Sequence, residues 1–184
     1  MAKLKARTSL PKPTKEQVFR EVVAAAIALD LKAGHLKWSM AELARTSGIS
    51  RPLVYYYFGK SKRAILVEAT KLFGGELAGF TDEKTNHWEA GRIDLALMES
   101  RRLLGEIHGL TAWYFLQRDR ETEVGAAIRE IEKRHLAKIR KYLPELDEGS
   151  VTAIFALFFG VSFSPLARTD TASLAVKIAL RGVR

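Results

Sequence analysis

Met40-Ala-Glu-Leu-Ala44-Arg-Thr-Ser-Gly48-Ile-Ser50-Arg-Pro-Leu-Val54-Tyr-Tyr-Tyr57-Phe58 reads as two short helices joined by a tight turn. Ala44 is small where two helices must cross closely. Four residues on, Gly48 can take the left-handed conformation that reverses the chain, Ile49 plugs the corner, and Val54 and Phe58 seal the second segment onto its neighbours. Ser39-x-x-Glu42 is a capping box for the first segment. Ser50 is placed to cap the second, whose Pro52 falls in the first turn where no intrahelical donor is missed. The spacing predicts a helix-turn-helix. Its opposite surface carries Arg51, Leu53, Tyr55, Tyr56 and Tyr57. Three consecutive tyrosines cannot share one buried stripe, so some must turn their hydroxyls outward; the competing reading is a tyrosine-rich core. An arginine and exposed hydroxyls beside a helix N-terminus suit phosphate and base-edge contacts in a DNA major groove.

Upstream, Thr14-x-x-Gln17 is a further capping box, and Val18, Val22, Ala25 and Leu29 recur at helical spacing until Gly34 offers a C-terminal cap. Downstream, Ser61 opens a longer helix through about residue 78, and 79–86 reads as a connection. Later helices are expected near 88–108, 111–118, 121–143, 149–163 and 171–182. Period-2 alternation never persists long enough to nominate a strand, so the fold is expected to be all-α. Three parts follow: a basic flexible arm over 1–13, a helix-turn-helix DNA-binding domain over 14–60, and a helical ligand-binding and dimerisation domain over 61–184.

Charge supports that division. Of the 184 residues, 30 are Lys or Arg and 21 Asp or Glu, a net charge of +9. Residues 1–63 hold 13 basic and 4 acidic side chains, whereas the remainder holds 17 of each, so the whole excess sits in the first third. That concentration favours a polyanion-binding module over an ordinary solvated basic face. The absence of cysteine excludes a disulfide framework and a thiolate nucleophile. The N-terminus has no apolar signal-like run, so a cytoplasmic location is expected. Residues 149–167 carry no charge, but their apolar heart from Val151 to Phe163 is too short to span a bilayer and reads as a buried core helix.

These features resemble the TetR family of bacterial transcriptional regulators. The resemblance is carried by Gly34, Ser39, Leu43-Ala44, Gly48-Ile49-Ser50, Val54-Tyr55, Tyr57-Phe58 and Lys62, in order within residues 14–70. It implies a three-helix DNA-binding domain, a connecting helix, and a variable helical domain that dimerises and often binds a ligand. By the resemblance, Arg51, Pro52, Leu53 and Tyr56 would face bases, while Tyr55, Tyr57 and a link lysine would hold phosphates. Ser39 and Ser50, at the two helix starts, complete the expected DNA-binding set. Two departures stand out. Trp38 occupies a position where the family commonly has a small hydroxyl residue, and the link Gly59-Lys60-Ser61-Lys62 looks one residue longer than usual, which leaves the phosphate-binding lysine open between Lys60 and Lys62.

Enzymatic signals are weak. Gly59-Lys60-Ser61 echoes a phosphate-binding loop, but Val54 stands where its first glycine is required. Gly160-Val-Ser162-Phe-Ser164 lacks one glycine of a nucleophile elbow. No His-x-x-x-His pair occurs among His35, His87, His108 and His135, so no metal is expected, and neither a cofactor nor catalytic residues.

In the second domain, Val124, Ile128, Ile131, His135, Ile139 and Tyr142 form an apolar stripe, with His135 either a structural histidine or a ligand contact. An effector pocket is expected among Trp88, Met98, His108, Thr111, Trp113, Tyr114, His135 and Phe158. Ala153, Ala156 and Gly160, with Ala172, Ala175 and Ala179, make small-residue faces, which the resemblance assigns to a homodimer interface. Gly74-Gly75, inside the connecting helix, is either a close-packing point, an early helix end or a hinge. The expected function is a DNA-binding transcriptional regulator acting on double-stranded, pseudo-palindromic operator DNA, a repressor released by a small apolar or amphipathic ligand. The alternatives are a helical DNA-binding protein without effector and a helical small-molecule enzyme with a basic partner-binding end.

Overall fold

The computed structural model describes residues 13–77 and 82–163, together with Leu174, Lys177 and Ile178. Among the described residues there are nine helices and no strand: α1 Lys15–Ala33, α2 Met40–Ser47, α3 Arg51–Phe58, α4 Lys62–Leu77, α5 Asp82–Glu89, α6 Ile93–Gly105, α7 Leu110–Arg118, α8 Glu123–Tyr142 and α9 Glu148–Phe163. The expected arm over 1–13 lies outside these residues except for Pro13. The last expected helix is described only at Leu174, Lys177 and Ile178, all helical.

The expected capping boxes of α1 and α2 are both formed: Thr14 with Gln17, and Ser39 with Glu42. Gly48 takes the left-handed conformation (φ 68°) between α2 and α3. One expectation fails here. Ser50 occupies the N-cap position of α3, but its side chain makes no capping bond; its backbone carbonyl accepts from Leu53 and Val54 instead.

A second correction concerns the stretch after α4. The connection read over 79–86 is helical from Asp82 onward, where α5 begins. Its inner face is anchored by Lys84 and Trp88, four residues apart and both buried, and a lysine does not register as part of an apolar stripe. The single helix read over 88–108 is broken at Ala90–Arg92, where Gly91 adopts a left-handed φ of 69° that stops α5.

Two hydrophobic clusters organise the chain. The larger joins the helix-turn-helix to α4, α7 and α8 through Val22, Trp38, Leu43, Val54, Ile65, Trp113 and Ile128. The smaller lies among α5, α6, α8 and α9 around Trp88, Leu97, Ile139 and Phe158. Among the described residues no helix is long and apolar enough to cross a membrane.

α4 runs unbroken through Gly74 and Gly75, which the structure separates in role. A Cβ on Gly74 would lie 2.7 Å from Ile131 Cδ1 and Cγ1 of α8, whereas one on Gly75 would meet nothing within 4 Å. Gly74 is thus a close-packing point, and no early helix end occurs there. Gly75→Ala should raise stability by up to about 1 kcal/mol through helix propensity alone, while Gly74→Ala should lower it by forcing Ile131 aside. Urea unfolding of the two single variants checks this; equal shifts would mean that the α4–α8 contact has slack.

Candidate nucleic-acid interface

α3 is held by Val54 and Phe58, both buried, and Phe58 lies 4.4 Å from the Phe19 ring of α1. The face turned away from that core presents Arg51, Pro52 and Tyr56, with Ser50 before the helix and Lys60 after it, all exposed. Tyr56 is 79% exposed, the most open large hydrophobic side chain among the described residues. The three tyrosines divide as their spacing requires. Tyr56 points out, while Tyr55 and Tyr57 are half-buried, Tyr57 edge-on to Phe19 at 5.9 Å. Leu53, expected to face bases, is half-buried against the core. Ser39 is exposed, but its Oγ accepts from the Glu42 amide, and the side-chain and backbone bonds from Ser39 hold the Glu42 carboxyl below the usual carboxylate range.

The two link lysines differ sharply. Lys60 is exposed, its ammonium 5.7 Å from the Tyr55 ring. Lys62 turns inward, donates to the carbonyls of Leu36 at 2.5 Å and Trp38 at 2.9 Å, and lies over the Trp38 ring at 5.7 Å. Packing sets the two apart: Lys62 is engaged in the protein, and Lys60 faces solvent. Trp38, the other departure, is the ring under that ammonium and is 1% exposed.

The α1–α2 loop that Lys62 grips is also held from the other side. Leu36 has a left-handed φ of 59°, a strained conformation for a residue with a branched side chain. Its N–H donates to Asp30 Oδ1 at 2.9 Å, and Trp38 Nε1 reaches the same oxygen at 3.2 Å. The second oxygen, Oδ2, accepts from Trp113 Nε1 at 3.0 Å and Gln117 Nε2 at 2.8 Å of α7, with His35 Nδ1 at 3.2 Å. Asp30 is 3% exposed. It was not among the expected site residues; the signal available was a carboxylate continuing the Val22, Ala26 series of buried positions four apart along α1.

The expected effector residues fall in three places. Trp88, His135 and Phe158 line one small void with Ile93, Ala96, Leu97 and Ser100, and Met98 packs half-buried against the same hydrophobic cluster. His108 and Thr111 line a separate groove at the start of α7. Trp113 and Tyr114 are buried with their polar ends engaged, Trp113 on Asp30 and the Tyr114 hydroxyl donating to Glu132, which also accepts from Arg118 Nε at 2.6 Å. Burial and the Glu132 carboxylate raise the Tyr114 pKa, and the bond to Glu132 raises that of Arg118. Of the expected dimer residues, Ala153, Ala156 and Gly160 are exposed on α9, whereas Ala172, Ala175 and Ala179 lie outside the described residues. Among the described residues no group of three metal-ligating side chains converges.

His135 is 1% exposed, and neither ring nitrogen has a hydrogen-bond partner. The imidazole sits between Phe155 at 5.2 Å, Trp88 at 6.3 Å and Phe158 at 6.5 Å. Burial, and then the charge of Lys138 one turn along α8, push its pKa down to about 3. Lys138 in turn is pushed down to about 8 by burial and by Lys141 and Lys84, with Glu89 opposing. His135 is therefore neutral in the folded chain while the unfolded chain binds its proton below about pH 6.5. Stability should fall as pH drops from about 6.5 toward 3, by up to about 1.4 kcal/mol per unit from this group. His135→Leu should flatten that limb in urea melts taken between pH 4 and 7; an unchanged slope would mean that the folded imidazole is protonated.

Against known proteins, residues 22–69 match the family model described as bacterial regulatory proteins, tetR family. No curated protein matches the chain. Among solved structures, PfmR, a TetR-family transcriptional regulator from Thermus thermophilus, superposes with a TM-score of 0.61 at 19% identity, covering 93% of this chain and 97% of that one. A protein from Mesorhizobium loti described as a TetR-family transcriptional regulator gives 0.58 at 19% identity, with 94% and 97% covered. Another from Streptomyces coelicolor, described as a transcriptional regulator, gives 0.53 at 20%, with 89% and 98% covered. At such identities the likeness is one of fold, and it extends over most of the chain. Residues 22–69 thus carry the N-terminal domain of bacterial regulatory proteins of the tetR family, and the chain as a whole shares the fold of these three structures.

Proposed function

We propose that the chain is a transcriptional repressor that binds a pseudo-palindromic DNA operator as a homodimer and is released by a small apolar or amphipathic molecule. The observation that carries the DNA half is the exposed face of α3, where Arg51, Pro52 and Tyr56 stand clear of the core with Ser50 and Lys60 at its two ends. Ser50 supports this by what it does not do: its hydroxyl makes no capping bond and stays open to a phosphate. Arg51 supplies bidentate hydrogen bonding to a base edge, guanine above all, and Lys60 with Tyr55 a phosphate clamp. The reading of a cytoplasmic protein without catalytic activity follows from this role.

The homodimer is supported by α9. Its sequence is apolar all round, yet Ala153, Ala156 and Gly160 lie exposed, a small-residue face over which a second helix can approach closely. A two-fold dimer presents two α3 helices to successive major grooves about 34–36 Å apart or a multiple of that, hence the palindromy. The groove at the start of α7, about 490 Å³, is large enough for a small molecule and supports the effector, whereas the void at His135, about 10 Å³, holds no more than a water.

Selection of bound sequences from random duplex DNA is the deciding experiment. Recovery of paired, inverted half-sites is expected; a single asymmetric site, or no enrichment, overturns the reading. On the selected duplex, Arg51→Ala should cost about 1–3 kcal/mol and relax preference at one base pair. The lysines should separate. Lys60→Ala should weaken all sequences alike and flatten the salt slope by about 0.9 per lost phosphate contact, whereas Lys62→Met should instead lower stability by about 1–3 kcal/mol as two loop carbonyls lose their donor.

A further inference from the structure

The groove at the start of α7 has a composition that the effector reading alone does not explain. It encloses about 490 Å³ between the turn joining α6 to α7 and the C-terminal end of α9, a size at which small-molecule sites occur. Leu104, Ile107, Leu110 and Phe163 make an apolar wall, and no acidic side chain among the described residues lines it. Its polar groups are all hydrogen-bond donors or capable of donating: the Arg101 guanidinium, anchored by a bond to the Val161 carbonyl, the His108 imidazole and the Thr111 and Ser162 hydroxyls. Helix α7 begins here on Gly109, which has no side chain to cap it. The amides of Leu110 and Trp113 find carbonyls, but those of Thr111 and Ala112, both groove residues, have no partner among the described residues. Two open amides at the positive end of a helix favour an anion.

Ser162 is the independent observation. It is 5% exposed, it lines the groove from the α9 side, and its Oγ is buried with no hydrogen-bond partner. A buried hydroxyl without a partner costs stability that a bound oxygen would return. A pure hydrocarbon would leave Ser162 and the α7 amides unanswered, a cation would meet Arg101, and a bare inorganic anion would leave the apolar wall uncovered.

We propose that this groove binds a small organic acid, its carboxylate at the α7 N-terminus with Arg101, Thr111 and Ser162 and its hydrocarbon body on Leu104, Ile107 and Phe163. The site also lies where it can be felt by the DNA-binding domain: a Cβ on Gly109 would stand 2.7 Å from Leu31 Cδ1 of α1, and two residues farther along α7 grip Asp30. That the acid weakens operator binding rests on the regulator reading above; that it binds does not.

The test is titration calorimetry of the full chain with octanoate, octan-1-ol and inorganic phosphate, repeated on Ser162→Ala and Thr111→Val, with thermal melts to show that both variants are folded. Octanoate should bind once per chain, at least about tenfold tighter than octan-1-ol, and each variant should weaken octanoate about tenfold while leaving the alcohol unaffected. Equal binding of acid and alcohol, phosphate displacing octanoate as a stronger ligand, octanoate binding untouched by either variant, or no saturable binding would each overturn the proposal. If octanoate binds as expected but no duplex is enriched by selection, the regulator reading fails and the acid site stands. If a duplex is enriched and octanoate does not bind, the converse holds.

Discussion

The structure hangs on the carboxylate of Asp30. A buried charge is tolerable only when its lone pairs are met, and here four N–H groups meet them from three directions: the backbone of Leu36, the indoles of Trp38 and Trp113, and the amide of Gln117. Two of those donors belong to the loop that opens the helix-turn-helix, and two belong to α7. Removing any of them leaves a charge-assisted bond unmade in a dry interior, where the deficit is largest. The left-handed Leu36 is the local cost of that arrangement, held in place at its N–H by Asp30 and at its carbonyl by Lys62.

The polar contacts of Asp30 tie α1 to α7, far along the chain. The loop between α1 and α2 supplies Leu36, Trp38 and the His35 ring to Asp30, and α7 must supply the rest. Without α7 the Oδ2 atom of Asp30 would lose Trp113 and Gln117 and meet water in their place. The larger hydrophobic cluster makes the same connection in apolar terms, since Val22, Leu43 and Val54 of α1–α3 share it with Trp113 of α7 and Ile128 of α8.

What could be read from the sequence was what is local. Capping boxes depend on residues three apart, and both Thr14–Gln17 and Ser39–Glu42 form as their spacing implies. The Gly48 turn, the Val54–Phe58 seal and the outward turn of Tyr56 follow equally from positions within one or two helical turns. The readings that changed depend on partners far along the chain. Lys62 was indistinguishable from Lys60 until the carbonyls of Leu36 and Trp38, some two dozen residues earlier, came to lie beside it. The expected pocket divided because Trp113 and Tyr114, adjacent in sequence to Thr111, spend their polar atoms on Asp30 and Glu132 instead of on a cavity. α5 was hidden because its buried face is one lysine and one tryptophan.

The contact at Gly74 has a mechanical consequence. With no space for even a methyl group between Gly74 and Ile131, α8 cannot shift toward α4 without displacing it, and α4 is continuous from Lys62 to Leu77. Such a rod pivots at its point of contact more readily than it bends. Lys62 lies 12 residues from Gly74, a lever arm of about 18 Å at helical rise, so a tilt of about 5° at the fulcrum carries the far end by roughly 1.6 Å. That end is the residue whose ammonium clasps the loop entering α2. A displacement of α8 magnified along that arm would reach the helix-turn-helix through Lys62 and through Ile65 and Leu66, which share its core.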